Sequence, residues 1–156
     1  MAEHALKGLK VAILVTDGFE KIELTEPRKA LDEAGAETRI VSPKVDRVPI
    51  GTRTQGSMCS SRKPSRKTSI QTHFVARSSH CHGPWTVIEA GAARGRRMTS
   101  WPSLMTDLKN AGADWVDQEV VVDQRLVTSR SPHDIPAFNR EMRNLFSTAR
   151  GRQQAA

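Results

Sequence analysis

The stretch LKVAILVTDGFEKIELTEPRKALDEAGAETRIVSP, Leu9 to Pro43, decides the fold. Leu9 to Val15 is a short run of apolar, partly β-branched residues, the composition of a parallel strand buried on both faces. Thr16-Asp17-Gly18 ends it. The spacing then predicts a helix from about Ile22 to Ala34, with Glu26-Pro27 in its first turn and Gly35 as its stop. Thr38 to Val41 reads as a second strand. Strand, helix and strand at this spacing make a βαβ unit and place the chain in the α/β class.

Working outward, the chain divides by composition. Of its 156 residues 24 are Lys or Arg and 17 are Asp or Glu, a net charge of +7. Between Lys44 and His80 stand eight basic residues (Lys44, Arg47, Arg53, Arg62, Lys63, Arg66, Lys67 and Arg77) and one acid, Asp46. That segment holds the whole excess, and the remainder is neutral. Basicity confined to one Ser- and Arg-rich tract argues against a nucleic-acid-binding fold, which would show a basic face with a reading helix or aromatic platform. The tract resembles a disordered segment, with a strand period only at Thr72 to Ala76.

Order resumes at Cys81. Gly83-Pro84 opens a helix to Ala90, closed by Gly91. Arg96 to Thr99 reads as a short strand and Pro102 to Ala111 as a helix stopped by Gly112. Glu119 to Val122 and Leu126 to Ser129 are strands about a turn at Asp123-Gln124. Ile135 to Phe146 has helical apolar spacing, and Ser147 to Ala156 reads as a frayed tail. The chain is expected to be one domain, residues 1–156. No apolar run approaches the ~20 residues that span a bilayer. MAEHALKGLK lacks the apolar block of a secretory signal, and two cysteines are too few for a disulfide framework. A cytoplasmic, reducing setting is expected.

Several segments are similar to the PfpI-type intracellular protease and stress-protein branch of the ThiJ/PfpI superfamily. They are Ala12 to Glu37 (AILVTDGFEKIELTEPRKALDEAGAE), VSP at Val41, CHGPW at Cys81, EAG at Glu89, RGRRMTSWPSL at Arg94, and DLKNAGADWVDQEVVVD through LVTSR to DIPAFN, ending at Asn139. They are collinear and cover about three-quarters of the chain. The resemblance implies a flavodoxin-like three-layer α/β sandwich with a mostly parallel sheet, here with its central part disrupted. It also implies a reactive cysteine on a strand-to-helix elbow, a homo-oligomer, and no metal or cofactor. Peptides and small carbonyl or glycated compounds are the substrate classes it implies, through peptidase, glyoxalase-like or deglycase activity.

Cys81 matches the family nucleophile. Physical reasons accompany the match: a cysteine just before Gly83-Pro84 stands at a helix start, where unpaired N–H groups favour a thiolate. The bland reading is a buried, inert thiol. His82 matches the family histidine, whose orienting acid would come from the region replaced here. Glu20, in DGFE, matches the glutamate that reaches the cysteine from the first loop and could share a proton with it. Its neighbour Glu23 reads as a capping or surface charge. Trp85, Trp101 and Trp115 match family tryptophans and read as core or interface packing rather than substrate contact, with pocket lining or an oligomer contact as the alternative for Trp101-Pro102. Cys59, His73, His80, Cys81 and His82 do not have structural-zinc spacing.

Between the second strand and the cysteine, the family pattern has a hairpin, a strand ending in Pro-Gly-Gly, a helix and the strand feeding the nucleophile. None is legible here, so one oxyanion donor is missing. THFVARSSH, Thr72 to His80, now precedes the cysteine. The abrupt change of composition fits a reading-frame slip and its correction, which translation of the other frames between codons 44 and 81 would test. The alternative function is an inactive family member or a module that binds anions or nucleic acid through residues 44–80.

Overall fold

The computed structural model describes residues 5–15, 20–41, 46–49, 58–61, 74–76 and 83–154. They fall into two compact units, residues 1–73 with 143–156, and residues 74–142.

The first unit holds the βαβ start. Strand β1 (Lys10–Leu14) pairs in parallel with β2 (Glu37–Val41), Lys10 against Glu37 and Leu14 against Val41. Between them runs α1 (Lys21–Glu33). Leu24, Pro27 and Leu31 form its buried stripe, at the three- and four-residue spacing of one helical face. Pro27 is the seventh helical residue rather than part of the first turn. It has no N–H for the Glu23 carbonyl four residues back. The helix ends in a paired stop: Gly35, at φ +88°, donates its N–H to Asp32 O at 2.9 Å, and Ala36 donates to Leu31 O at 3.0 Å. A left-handed residue is required there, and glycine takes it without Cβ strain. Arg28 Nε donates to Thr38 Oγ1, which donates to Asp32 Oδ1 at 2.7 Å, tying the helix to β2.

The basic tract is not wholly irregular. Strands β3 (Asp46–Pro49) and β4 (Met58–Ser61) form an antiparallel pair, Asp46 against Ser61 and Pro49 against Met58. A third strand, β5 (Phe74–Ala76), belongs to the second unit.

In the second unit β5 runs parallel to β9 (Leu126–Ser129), which pairs antiparallel with β8 (Val120–Asp123), giving the order β5-β9-β8. The β8–β9 turn places Gln124 at φ +54°, the one described non-glycine residue in the left-handed region. Strand β6 (Arg97–Met98) pairs in parallel with β7 (Asp114–Trp115), a strand too short to be read from the sequence. The helices are α2 (Gly83–Glu89) and α3 (Met105–Asn110), the latter preceded by a 3-10 turn at Pro102–Leu104 where a single helix was expected. Val87 of α2 and Leu108 of α3 share a core cluster with Ala93, Met98, Ala113 and Leu126.

Helix α4 runs from Ile135 to Gln154. The frayed tail expected from Ser147 is therefore helical as far as Gln154. Ser147 Oγ donates to Arg143 O at 2.9 Å and Thr148 Oγ1 to Asn144 O at 3.0 Å, so both hydroxyls are satisfied within the helix. Among the described residues no helix is long and apolar enough to cross a membrane.

Candidate functional site

In open α/β sheets ligands lie beyond the carboxyl ends of parallel strands. The register of β5 with β9, Phe74 against Leu126 and Ala76 against Thr128, puts the carboxyl ends of both on one side of the sheet. Cys81 follows β5 by five residues and Arg130 follows β9 directly. Cys81 and His82 themselves lie outside the described residues, and the last described residue before them is Ala76. The helix predicted to follow them is present as α2. It ends at Gly91 (φ +66°), with Gly91 N–H donating to Ile88 O and Ala92 N–H to Val87 O, both at 2.9 Å.

Around this edge sits a polar network with no counterpart in the sequence reading. Thr99, Ser100, Thr128 and Ser129 are fully buried. Thr99 N–H donates to Thr128 Oγ1 at 3.0 Å, which joins β6 to β9. Thr99 Oγ1 donates to Gln118 O at 2.9 Å. Trp115 Nε1 donates to Ser100 Oγ, whose hydroxyl donates to Trp101 O, both at 3.0 Å. Buried hydroxyls persist when they are paired in this way. The signal in the sequence was the pair of Thr-Ser dipeptides at strand ends.

After β9 the chain turns at Arg130 to Asp134. Asp134 closes a 3-10 turn, Pro132–Asp134, by capping Ser131. Its Oδ2 accepts from Ser131 N at 3.0 Å, Arg130 N at 3.2 Å and Arg130 Nε at 3.3 Å. Arg130 Nη1 also donates to Asp117 Oδ1 at 2.7 Å. Burial alone would raise the Asp134 pKa, but the Arg130 hydrogen bond, the Ser131 N–H and the Arg130 charge outweigh it and hold the carboxyl below its usual value. Hydrogen bonds that Arg130 donates to the Asp117 and Asp134 carboxylates raise its pKa above the usual value.

The tryptophans differ from one another. Trp115 is half-buried and lies 5.7 Å under the Lys109 ammonium. Trp85 and Trp101 are 52% and 43% exposed, so the packing role expected for them is not core packing. Trp85 Nε1 donates to Asp107 Oδ2 at 3.2 Å.

In the first unit Glu20 is half-buried at the N-cap of α1, and its carbonyl accepts from Glu23 N–H at 3.0 Å. Its side chain does not cap the helix. Glu23 is not the simple surface charge expected: its Oε1 is buried and has no hydrogen-bond partner among the described residues. An orphaned carboxylate oxygen is costly unless something outside the helix meets it. Alternation of charge along EKIE gave no way to tell the two apart.

The fold is that of an α/β protein of the flavodoxin-like class. The chain belongs to the DJ-1/PfpI family, whose model matches residues 76–144. It is 34% identical over 167 residues to protein/nucleic acid deglycase 2 of Escherichia coli (88% of this chain, 97% of that protein). It is 35% identical over 164 residues to general stress protein 18 of Bacillus subtilis (86% and 95%). Among solved structures, DJ-1beta of Drosophila melanogaster superposes with a TM-score of 0.70 at 20% identity, covering 89% of this chain and 90% of that one. The matched 88% of 156 residues is about 137, so the deglycase span is about 30 residues longer.

Proposed function

We propose that this protein is a cysteine-dependent stress enzyme acting on glycated or small carbonyl compounds or on peptides, with Cys81 as nucleophile and His82 and Glu20 as its acid–base neighbours. The observation that carries the reading is the family match over residues 76–144, which spans the Cys81-His82-Gly83-Pro84 run, together with collinear likeness to a protein named a deglycase. In that chemistry a thiolate at position 81 adds to a carbonyl carbon and a neighbouring acid protonates the oxygen. The orphaned Oε1 of Glu23 supports adding this carboxyl to the acid–base candidates beside Glu20. The resemblance further supports a homo-oligomer, a cytoplasmic location and a single domain.

The test is turnover of a methylglyoxal-modified peptide and of a plain reporter peptide by the wild type and by Cys81→Ser, Glu20→Gln and Glu23→Gln. Cysteine-dependent release of either product is expected. Activity that survives Cys81→Ser refutes the assignment.

A second reading rests on the charge. The whole +7 lies in residues 44–80, where the family pattern has catalytic scaffolding. An inactive member binding anionic partners through that tract would show steep salt dependence of binding without turnover.

A further inference from the structure

We propose that Trp85 and Asp107 are a positioning pair that pins the first turn of α2 to α3 and so holds the chain leaving Cys81 in its working position. This deepens the nucleophile reading above and rests on it for the functional consequence, while the pin itself stands on geometry.

Helix α2 has seven residues, about two turns. Its inner face is anchored by Pro84 and Val87, both buried. Val87 packs in the same cluster as Leu108 of α3. Apolar packing is non-directional and does not by itself specify the rotation of so short a helix. Two side-chain hydrogen bonds hold the first turn among the described residues. Thr86 Oγ1 donates to Gly83 O at 2.6 Å, which is internal to the helix. Trp85 Nε1 donates to Asp107 Oδ2 at 3.2 Å and reaches another element.

The placement of Trp85 is otherwise unexplained. Half of it is exposed, so it does not fill the core, and water could satisfy its N–H. Instead the indole is turned onto a carboxylate. A hydrogen bond to an ionised acceptor is the stronger kind and is directional. The indole is a rigid arm with two rotatable bonds, so it fixes distance as well as direction. Asp107 is itself set by its neighbour Leu108, which is wholly buried. The pin therefore joins a fixed point of α3 to the turn that begins two residues after Cys81. Misplacing a reacting group by about 1 Å can cost roughly 10²-fold in rate.

The test uses the full chain and two readouts: amide hydrogen exchange over residues 83–89, and the rate at which iodoacetamide labels Cys81 across pH, followed by peptide mapping. Trp85→Phe removes the N–H and keeps an aromatic ring. Asp107→Ala removes the acceptor at an exposed position that the fold tolerates. Asp107→Asn keeps an acceptor oxygen without the charge. We expect Trp85→Phe and Asp107→Ala each to speed exchange about five- to tenfold and to lower the plateau labelling rate by a similar factor, without moving its pH midpoint. The double variant should be no worse than either single one. Asp107→Asn keeps an acceptor but loses the charge, so it should fall between the wild type and Asp107→Ala. Unchanged exchange in both singles, additive losses, or an Asp107→Asn as damaged as Asp107→Ala would overturn the proposal. Faster exchange together with an ordinary wild-type Cys81 titration would uphold the pin and remove the nucleophile reading.

Discussion

Asp134→Ala should lower stability by about 3 kcal/mol at neutral pH, and the loss should shrink in acid. The Asp134 side chain is 8% exposed and that of Arg130 32% exposed. Alanine leaves the Arg130 and Ser131 N–H groups of a partly buried turn without their acceptor, at about 1 kcal/mol each. It also breaks the ion pair. Because Arg130 keeps Asp117 at 2.7 Å and is partly solvated, that adds only about 1 kcal/mol, well under the ~3–5 of a fully stranded buried charge. For a chain of this size each kcal/mol shifts the melting temperature by about 2–4 °C, so a drop of roughly 6–12 °C is expected. The pH dependence has a definite sign. The folded pKa of Asp134 is depressed, so its stabilisation is complete above the unfolded value of about 3.9 and is lost as pH falls through the folded value. Thermal melts of wild type and Asp134→Ala from pH 7 to pH 3 should converge only below about pH 4. Melts that differ by less than 2 °C at pH 7, or a gap that stays constant to pH 3, would refute the reasoning.

Thr128→Val should cost about 1–3 kcal/mol, because the buried Thr99 N–H loses its acceptor while volume is kept; a neutral result in denaturant melts would mean that Thr99 finds another partner. Gln124→Gly should be neutral or stabilising by up to about 1 kcal/mol, since it removes a side chain from a left-handed turn position, and a clear loss would show that the Gln124 side chain supports the turn. Restoring a family-like strand, Gly-Gly turn and helix between Pro43 and Cys81 should raise both melting temperature and turnover. Removal of a covered central strand forfeits burial comparable, at about 25 cal/mol per Å², with the ~5–15 kcal/mol that stabilise a domain; equal melting temperatures and turnover would make the short middle segment a functional variation.

The βαβ start was legible because its signals are local. An apolar run, a helical stripe at Leu24, Pro27 and Leu31, and Gly35 at a left-handed stop each act within a few residues. The β8–β9 hairpin and the helix after Cys81 were legible for the same reason. The β3–β4 pair was not, because Asp46–Pro49 and Met58–Ser61 carry no clean alternation and are joined through backbone hydrogen bonds. Strand β7 is two residues long, below any periodic signal. The extension of α4 past Ser147 depends on hydroxyls that fold back onto the helix, a choice that composition does not reveal. At the site, Cys81, His82 and Glu20 came from resemblance. The buried Thr99–Thr128 link emerged only when segments 29 residues apart in sequence were brought together in space, whereas the Ser131–Asp134 capping box is a local pattern that the sequence reading passed over.

The central claim, that Cys81 is the reactive group of this DJ-1/PfpI family member, is tested most directly by titrating its thiol. The measurement is alkylation from pH 4 to pH 9 with peptide mapping of Cys81 and Cys59 in the same sample. The account predicts that Cys81 labels first, with a midpoint clearly below the ~8.5 of a free cysteine and below that of Cys59. Equal reactivity near pH 8.5, or preferential labelling of Cys59, would contradict it.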